Sequence, residues 1–223
     1  MLDRVLYVCW TGDNPMSKVR RACIRSLEST AGVAVVLVTP ENLNEFAPSR
    51  HPAYEYLSAT HRADYLRAHI MHHRGGGYMD VKRTTGAWSD AFDELESSEA
   101  WVNGYREQRP EDVAQVGGDL ERLLKSRCAD LLGCGAMICK PETPFTDRWF
   151  GEVEAELDQL LPALREHPAA DPADQTGMFL DSGPSQYPVR WTQVLGDIFH
   201  PLCLEHVDRL LYTVPQLLSA PFR

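Results

Sequence analysis

Several features are missing from this sequence, and each absence excludes a class of protein. The longest apolar runs, such as residues 33–38, are far shorter than the ~20 residues that a transmembrane helix needs. Acidic residues outnumber basic ones, and the net charge of −10 argues against nucleic acid or an anionic membrane surface as a partner. The six cysteines form no Cys-x-x-Cys pair, so a zinc site is not expected.

The beginning of the chain also lacks the pattern of a secretory signal peptide. Asp3 and a short strand-like run stand where a basic segment and a longer apolar stretch would be needed. We therefore expect a cytoplasmic protein with reduced cysteines and no integral membrane segment.

The sequence does contain an alternation of strand-like and helical patterns, which predicts an α/β fold. A hydrophobic share of 43% is ordinary for a folded domain, and a length of 223 residues favours one domain over two. Residues 33–39 are nearly all β-branched or leucine, which predicts a strand covered on both faces in a mainly parallel central sheet flanked by helices. The other predicted strands are residues 4–9, 78–81, 100–105 and 136–139.

Prolines mark the boundaries of the predicted helices. Residues 14–15 are Asn-Pro, a suitable cap and first position for the first helix. An amphipathic stripe over residues 145–164 predicts a long helix that Pro162 should kink or end. A last helix should run over residues 188–200 and stop at Pro201.

The most specific pattern in the chain lies in residues 58–82. Its first part repeats apolar side chains at helical spacing and ends in three glycines, residues 75–77, which suit a helix C-terminus. Asp64 and Arg67 lie three positions apart, so they are neighbours on the surface of that helix. They could form a plain helix ion pair or take part in binding.

A short strand should follow the glycines, and it carries an acid near its end. Side chains alternate along a strand, so Asp80 and Lys82 share one face. Ligands of α/β sheets bind beyond the carboxyl ends of the strands. Trp10 lies just past the first strand, so it should reach the same edge as Asp80, either as a core residue or against a ligand.

Residues 58–82 resemble the sugar-binding segment of glycosyltransferases with the nucleotide-binding A-type fold, in the capsular-polysaccharide-synthesis and mannosyltransferase-like branch. The matching features are an acid and an arginine three apart on a helix, a glycine run, an aromatic residue, and an acid where the family has Asp-x-Asp. The opening Tyr-Val-Cys-Trp-Thr-Gly, residues 7–12, is similar to the family's first strand and Trp-x-Gly turn. Residues 183–191 and 199–201 resemble the family more distantly.

The resemblance implies a fold and a division of the chain. It implies a single-domain nucleotide-diphospho-sugar transferase fold over residues 1–223. The nucleotide-binding part would cover about residues 1–105 and the acceptor-side part about residues 106–223. A polar, glycine-containing stretch at 106–118 is predicted to be a loop at the start of the acceptor side.

The resemblance also implies roles for single residues. The nucleotide would be held by Trp10, Thr11 and Gly12, the ribose and sugar by Asp64, Arg67 and Asp80, and the diphosphate by Lys82 and a metal ion. Manganese or magnesium suits carboxylate ligands. By similarity to C-terminal histidines of related enzymes, His200 would be the second metal ligand beside Asp80.

This chain departs from the family pattern at Lys82, where the second acid would stand. A protonated lysine cannot bind a metal ion, but it can neutralise a phosphate. Three interpretations stay open. Asp80 and His200 could keep a weakened metal site, Lys82 with Arg83 could replace the charge of the metal, or Lys82 could simply pair with Asp80 in a degenerate site.

The function that follows from the resemblance is transfer of a sugar from a UDP- or GDP-linked donor to a glycan or lipid-linked acceptor, in polysaccharide or glycoconjugate synthesis. An inverting reaction would also need a base, and Asp181, Asp147 and Asp90 are the candidates. The alternatives are a nucleotide-sugar-binding module that has lost its chemistry and a nucleotide-sugar hydrolase.

Overall fold

A six-stranded sheet lies at the centre of the computed structural model, which describes residues 2–218. In the order in which they lie across the sheet, its strands are β2 (Ala34–Val38), β1 (Val5–Cys9), β3 (Gly76–Met79), β6 (Leu132–Cys139), β5 (Val102–Arg106) and β9 (Leu210–Leu211). Strand β6 runs antiparallel to both of its neighbours, and the other five strands share one direction. The predicted α/β class with a mostly parallel sheet flanked by helices is therefore confirmed.

Helices and short strand pairs surround this sheet. The α-helices are α1 (Lys18–Thr30), α2 (Leu43–Phe46), α3 (Ala59–His73), α4 (Ser89–Ser97), α5 (Gly118–Ser126), α6 (Pro144–Glu166) and α7 (Gly196–Glu205). Short 3₁₀ helices cover Pro52–Tyr56, Pro110–Asp112, Cys128–Asp130 and Val207–Arg209. Two antiparallel pairs complete the described chain: β4 (Arg83–Thr84) with β10 (Leu217–Leu218), and β7 (Phe179–Leu180) with β8 (Gly183–Pro184).

Each face of the sheet is covered by its own hydrophobic core. Tyr7 and Cys9 of β1 point into a core with α3, α6 and α7, whereas Leu6 and Val8 point into a core with α1 and α4. This is the alternation expected of a strand that is buried on both faces. Polar groups of the central strands therefore meet solvent mainly at the ends of the strands.

Helix α3 is buried on most of its circumference, as nine of its 15 residues are buried. Ser58 caps its start by accepting a hydrogen bond from the His61 N–H, and the helix ends before the glycine run as predicted. Gly75 then turns the chain with a φ of 66°. A Cβ at Gly75 would lie 2.6 Å from Pro141 Cδ, so glycine is required there for both its conformation and its size.

Two local predictions near the start of the chain are wrong. Helix α1 begins three residues later than the Asn-Pro pair at 14–15 suggested, because the Ser17 side chain caps it by accepting from the Arg20 N–H. Strand β2 was expected to be covered on both faces, but its residues are mostly exposed or half-buried. The reason is its position at the edge of the sheet, which the strand sequence alone does not encode.

Prolines also fail to end the two late helices. Helix α6 continues through Pro162 to Glu166, and α7 runs through Pro201 to Glu205. In both helices buried side chains follow the proline, Leu164 in α6 and Leu202 and Cys203 in α7, and their packing outweighs one missing backbone hydrogen bond. Helix α5, which follows the predicted loop, was not predicted at all.

Candidate active site

A cleft of about 980 Å³ opens at the carboxyl ends of three strands of the central sheet. Trp10 follows β1, Asp80 follows β3 and Glu107 follows β5, and all three line it. The cleft is also lined by every residue that the sequence analysis assigned to a nucleotide, a sugar or a metal: Trp10, Thr11, Gly12, Asp64, Arg67, Asp80, Lys82 and His200. The fold thus brings four separate segments of the chain together, while the roles of these residues stay predictions.

Asp80 is held between two cations. Its Oδ1 accepts hydrogen bonds from Arg67 Nη2 at 3.1 Å and Tyr78 Oη at 3.2 Å, and its Oδ2 accepts one from Lys82 Nζ at 2.9 Å. Burial raises the pKa of Asp80, but the positive charges of Arg67 and Lys82 together outweigh burial, so the pKa lies below its usual value. Asp80 is therefore a carboxylate at neutral pH. Its backbone is fixed as well, since its N–H donates to the Gly135 carbonyl at 2.8 Å.

Arg67 joins helix α3 to the strands beneath it. Besides Asp80, its Nη2 contacts Asp64 Oδ1 at 3.2 Å and Tyr78 Oη at 3.0 Å, and its Nη1 donates to the Cys134 carbonyl of β6. The guanidinium also lies 4.2 Å from the centre of the Tyr78 ring, a favourable cation–π distance. With its side chain only 4% exposed, Arg67 mainly fixes the two acids in place.

Asp64 differs from Asp80 although both contact the same guanidinium. Burial raises the pKa of Asp64 to about 7, with the Asp80 charge adding to this effect and Arg67 opposing it. The two neighbouring carboxyl groups therefore have pKa values on opposite sides of their ordinary value. At neutral pH Asp80 is ionised and acts only as a hydrogen-bond acceptor. Asp64 is present in both its protonated and its ionised form, and the protonated form can also donate a hydrogen bond.

The segment after β1 forms a tight turn beside the start of α3. Trp10 is half-buried, and its Nε1 donates to the Asn14 carbonyl at 3.0 Å, which fixes the indole at the cleft. A Cβ at Gly12 would lie 2.9 Å from the Cβ of Ala59, so only glycine allows this close approach. Trp10 packs against a hydrophobic core and also lines the cleft, so both interpretations of this residue describe part of its surroundings.

The residues around Asp80 do not fit a divalent metal ion in this arrangement. Both oxygens of its carboxylate accept hydrogen bonds from cationic side chains, and a metal ion there would lie beside two positive charges. Within residues 2–218, no group of three or more His, Cys, Asp or Glu side chains is placed to hold a metal ion. Lys82 instead places a positive charge beside Asp80.

His200 lines the cleft, but its ring nitrogens are already engaged. The Ala114 N–H donates to Nδ1 at 3.0 Å, so the neutral ring carries its proton on Nε2, which lies 3.3 Å from Cys134 Sγ. Burial lowers the pKa of His200 to about 4 and raises the pKa of the Cys134 thiol, so neither group is charged at neutral pH. This geometry counts against the predicted role of His200 as a metal ligand and against an activated thiolate.

The three acids considered as bases are not brought to the cleft. Asp181 is an exposed residue between β7 and β8, and Asp90 is exposed in the first turn of α4. Asp147 is exposed in the first turn of α6, and its Oδ1 lies 3.2 Å from Nδ1 of His72. None of the three lies in the described cleft lining, which counts against them as a base. Sequence alone did not show which strand ends and loops face the cleft.

Glu107 is a cleft residue that the sequence analysis missed. It is only 8% exposed, and its Oε1 accepts one long hydrogen bond, 3.3 Å, from the Gln108 N–H. Burial raises the pKa of Glu107, and nearby Asp112 adds to this effect. The signal that could have found it is its position: like Asp80, it is an acid directly after a strand of the sheet.

One rim of the cleft is tied to the start of α3 by a buried histidine. His61 Nδ1 accepts from Tyr187 Oη at 3.0 Å, and Nε2 donates to the Arg190 carbonyl at 3.2 Å. Burial lowers the pKa of His61 to about 4, which keeps the ring neutral for both contacts. The next residue, Trp191, presents a half-exposed indole to the cleft on this fixed backbone.

Charge is distributed differently in the cleft and on the rest of the molecule. Among the described residues that line the cleft, the charged ones are Arg20, Arg67, Lys82, Arg109, Asp64, Asp80, Glu107 and Asp112. Four are basic and four acidic, and two of the acids, Asp64 and Glu107, have raised pKa values. The charged side chains of the cleft lining thus balance, whereas the whole chain has a net charge of −10, so the cleft opposes an anionic ligand less than the average of the molecule does.

Comparison with known protein families and curated proteins does not assign the chain to a family. No protein-family model matches the sequence, and no curated protein matches it significantly. None of the helices within residues 2–218 is both long and apolar enough to cross a membrane.

Proposed function

We propose that this chain is a glycosyltransferase with the A-type fold, which moves a sugar from a UDP- or GDP-linked donor to a glycan or lipid-linked acceptor. The observation that carries the proposal is the convergence of the sequence-predicted nucleotide, sugar and diphosphate residues in one cleft. That cleft lies at the carboxyl ends of the strands, where α/β proteins bind their ligands.

Transfer replaces the bond between the anomeric carbon and the diphosphate by a bond from that carbon to an acceptor oxygen, whose proton is released. The electron pair of the broken bond stays with the diphosphate, so negative charge grows on the leaving group. A cation aimed at that charge is the largest contribution that such a site can make. Lys82 is suited to this role, because its side chain is 34% exposed and its ammonium is held at the cleft by Asp80.

The other residues divide between the two ends of the donor. The indole of Trp10 offers a flat apolar surface for a nucleobase beside the tight turn at Gly12. Asp64 and Asp80, both held by Arg67, offer oxygen atoms to ribose and sugar hydroxyl groups. The close packing of these acids around one guanidinium fixes their positions before the donor binds.

The experiment is a thermal-shift screen of nucleoside diphosphates followed by donor turnover. A nucleotide that binds the folded state raises the melting temperature by mass action. Asp80→Asn should abolish turnover of the matching nucleotide sugar while the circular-dichroism spectrum stays unchanged. Asp90→Asn is the matched control, because Asp90 is exposed and lies outside the described cleft lining. Wild-type turnover in Asp80→Asn would refute the proposal.

A second candidate is a nucleotide-sugar-binding module without transferase activity. The 2.9 Å pair between Lys82 and Asp80 favours it, because a lysine that only neutralises its neighbour contributes nothing to a leaving group. This candidate predicts that wild-type protein binds a nucleoside diphosphate but turns over no sugar donor. Turnover in the same screen would eliminate it.

A further inference from the structure

Among the described acids that line the cleft, Glu107 is the one without an ion-pair partner or an assigned role. The other acids of the cleft floor, buried Asp64 and half-buried Asp80, are hydrogen-bonded to Arg67. Glu107 is more than nine-tenths buried, lines the cleft, and makes no ion pair with any residue that the structure describes. Among the described residues, the only hydrogen bond of its side chain is the long one that Oε1 accepts from the Gln108 N–H. Oε2 has no partner there, so it can accept a hydrogen bond from a ligand in the cleft.

The order of the strands shows which part of a donor would lie near Glu107. Across the sheet, β1 is followed by β3, β6 and β5. Neighbouring strands lie ~4.8 Å apart, so the end of β5 is displaced by ~10 Å from the end of β3, on the side away from β1. If Trp10 takes the base and Lys82 the diphosphate, Glu107 lies beyond the diphosphate, where the transferred sugar meets its acceptor.

Polar side chains line this end of the cleft, together with apolar Leu217 of β10. Gln108, Arg109 and Asp112 stand beside Glu107, and Arg109 is paired with Asp112 at 2.7 Å. Such side chains form hydrogen bonds with hydroxyl groups. This end of the cleft therefore offers suitable partners for the hydroxyl groups of a carbohydrate.

We propose, on the basis of the function proposed above, that Glu107 binds the acceptor hydroxyl group that receives the sugar, and that the β5 end of the cleft is the binding subsite for an acceptor sugar. Glu107 accepts the hydrogen bond of that hydroxyl group and so turns its oxygen toward the anomeric carbon of the donor. A carboxylate of low solvent exposure is effective here, because few water molecules compete for it.

The test compares Glu107→Gln with wild-type protein, using the nucleotide sugar that wild type hydrolyses and a panel of p-nitrophenyl glycosides as acceptor probes. The substitution keeps the size of the side chain and replaces one acceptor oxygen by a donor amide. We expect the ratio of transfer to donor hydrolysis to fall at least about tenfold, since a lost hydrogen bond to a charged group costs roughly that factor or more. The acceptor KM should rise, and the melting-temperature shift with the nucleoside diphosphate should be retained.

Glu111→Gln is the matched control, because Glu111 is an exposed acid of the same segment and lies outside the described cleft lining. It should keep the wild-type ratio of transfer to hydrolysis. An unchanged ratio in Glu107→Gln would overturn the proposal, as would a wild-type protein that hydrolyses the donor but transfers to no glycoside of the panel. A wild type that neither binds nucleoside diphosphates nor turns over a donor is a different result, because it removes the proposed function itself.

Discussion

At the scale of single residues, pairing between charges decides what the cleft can bind. Asp80 holds the ammonium of Lys82 at 2.9 Å and shares the guanidinium of Arg67 with Asp64. Arg67 is almost completely buried, so Lys82 is the better placed of the two cations to reach a phosphate group. The presence of lysine at this position is therefore the main chemical difference from a site built on two acids and a metal ion.

Replacing Lys82 should change how donor turnover depends on metal ions. Wild-type turnover should change less than about twofold in excess EDTA, since Lys82 supplies the positive charge. Lys82→Ala should lower turnover about 10²-fold with or without manganese. Lys82→Asp puts a second carboxylate beside Asp80, so manganese should stimulate its residual turnover at least about tenfold.

Initial rates of donor hydrolysis, measured in EDTA and in a manganese titration, decide this prediction. Loss of most wild-type activity in EDTA would instead support the retained metal site that the sequence analysis left open. A Lys82→Asp variant that ignores manganese would show that Asp80 and its neighbours cannot assemble a metal site even when the second acid is restored.

Sequence reasoning at this scale succeeded where a residue belongs to a dense local pattern. Asp64, Arg67, Asp80 and Lys82 lie within 19 consecutive positions, and their helix and strand spacing predicts their mutual contacts. The hydrogen bond from the Ala114 N–H to His200 could not be predicted, because the two residues are 86 positions apart in the sequence. Glu107 was missed for a similar reason, since its burial depends on packing that no local pattern reports.

At the scale of secondary-structure elements, packing overrides local propensity in several places. The prolines of α6 and α7 lie inside their helices. The apolar pattern of residues 33–39 predicted a strand buried on both faces, but this strand lies at the edge of the sheet. By contrast, β1 and the glycine-terminated α3 were predictable, because strong local signals and burial agree there. Strand β3 was predicted two residues too late, since it covers Gly76–Met79 and not residues 78–81. Edge or centre position in a sheet depends on strand order, which is a property of the whole chain.

Pro162 allows a test of this account. The residue is exposed and lies inside α6, so the helix lacks one backbone hydrogen bond at that turn. Pro162→Ala should restore a donor and raise the free energy of unfolding by about 1–3 kcal/mol. Urea denaturation measures the change, and the exposed position of residue 162 means that alanine there needs no repacking.

A destabilised Pro162→Ala variant would contradict the helical geometry at this position. A suitable control is Glu166→Ala at the last residue of α6, which is exposed and should change stability by no more than about 0.5 kcal/mol.

At the scale of the whole molecule, the contrast between an acidic chain and a less acidic cleft governs ligand binding. The net charge of −10 opposes the approach of an anion, while Lys82 and Arg20 at the cleft favour it. A nucleoside diphosphate would therefore be attracted over short distances only. Short-range attraction between partly exposed charges is weakened by dissolved salt.

Affinity for the nucleoside diphosphate identified in the screen should consequently fall as ionic strength rises. Between about 50 and 500 mM NaCl we expect the Kd to increase roughly three- to tenfold, because the screening length shrinks to a few ångströms. The corresponding uncharged nucleoside should show a smaller change, and Lys82→Ala should reduce the salt dependence. Calorimetric titrations at the two salt concentrations provide the measurement; a Kd that does not respond to salt would argue against a charge-based site.

The burial of helix α3 has a consequence for how such a protein can acquire new preferences. Asp64 and Arg67 sit on an element packed on nearly every side, so altering them disturbs the interior along with the cleft. The segments at 106–112 and 187–195 border the same cleft with more exposed side chains. Changes in ligand preference, in nature or in the laboratory, should therefore accumulate along these borders while the floor stays unaltered.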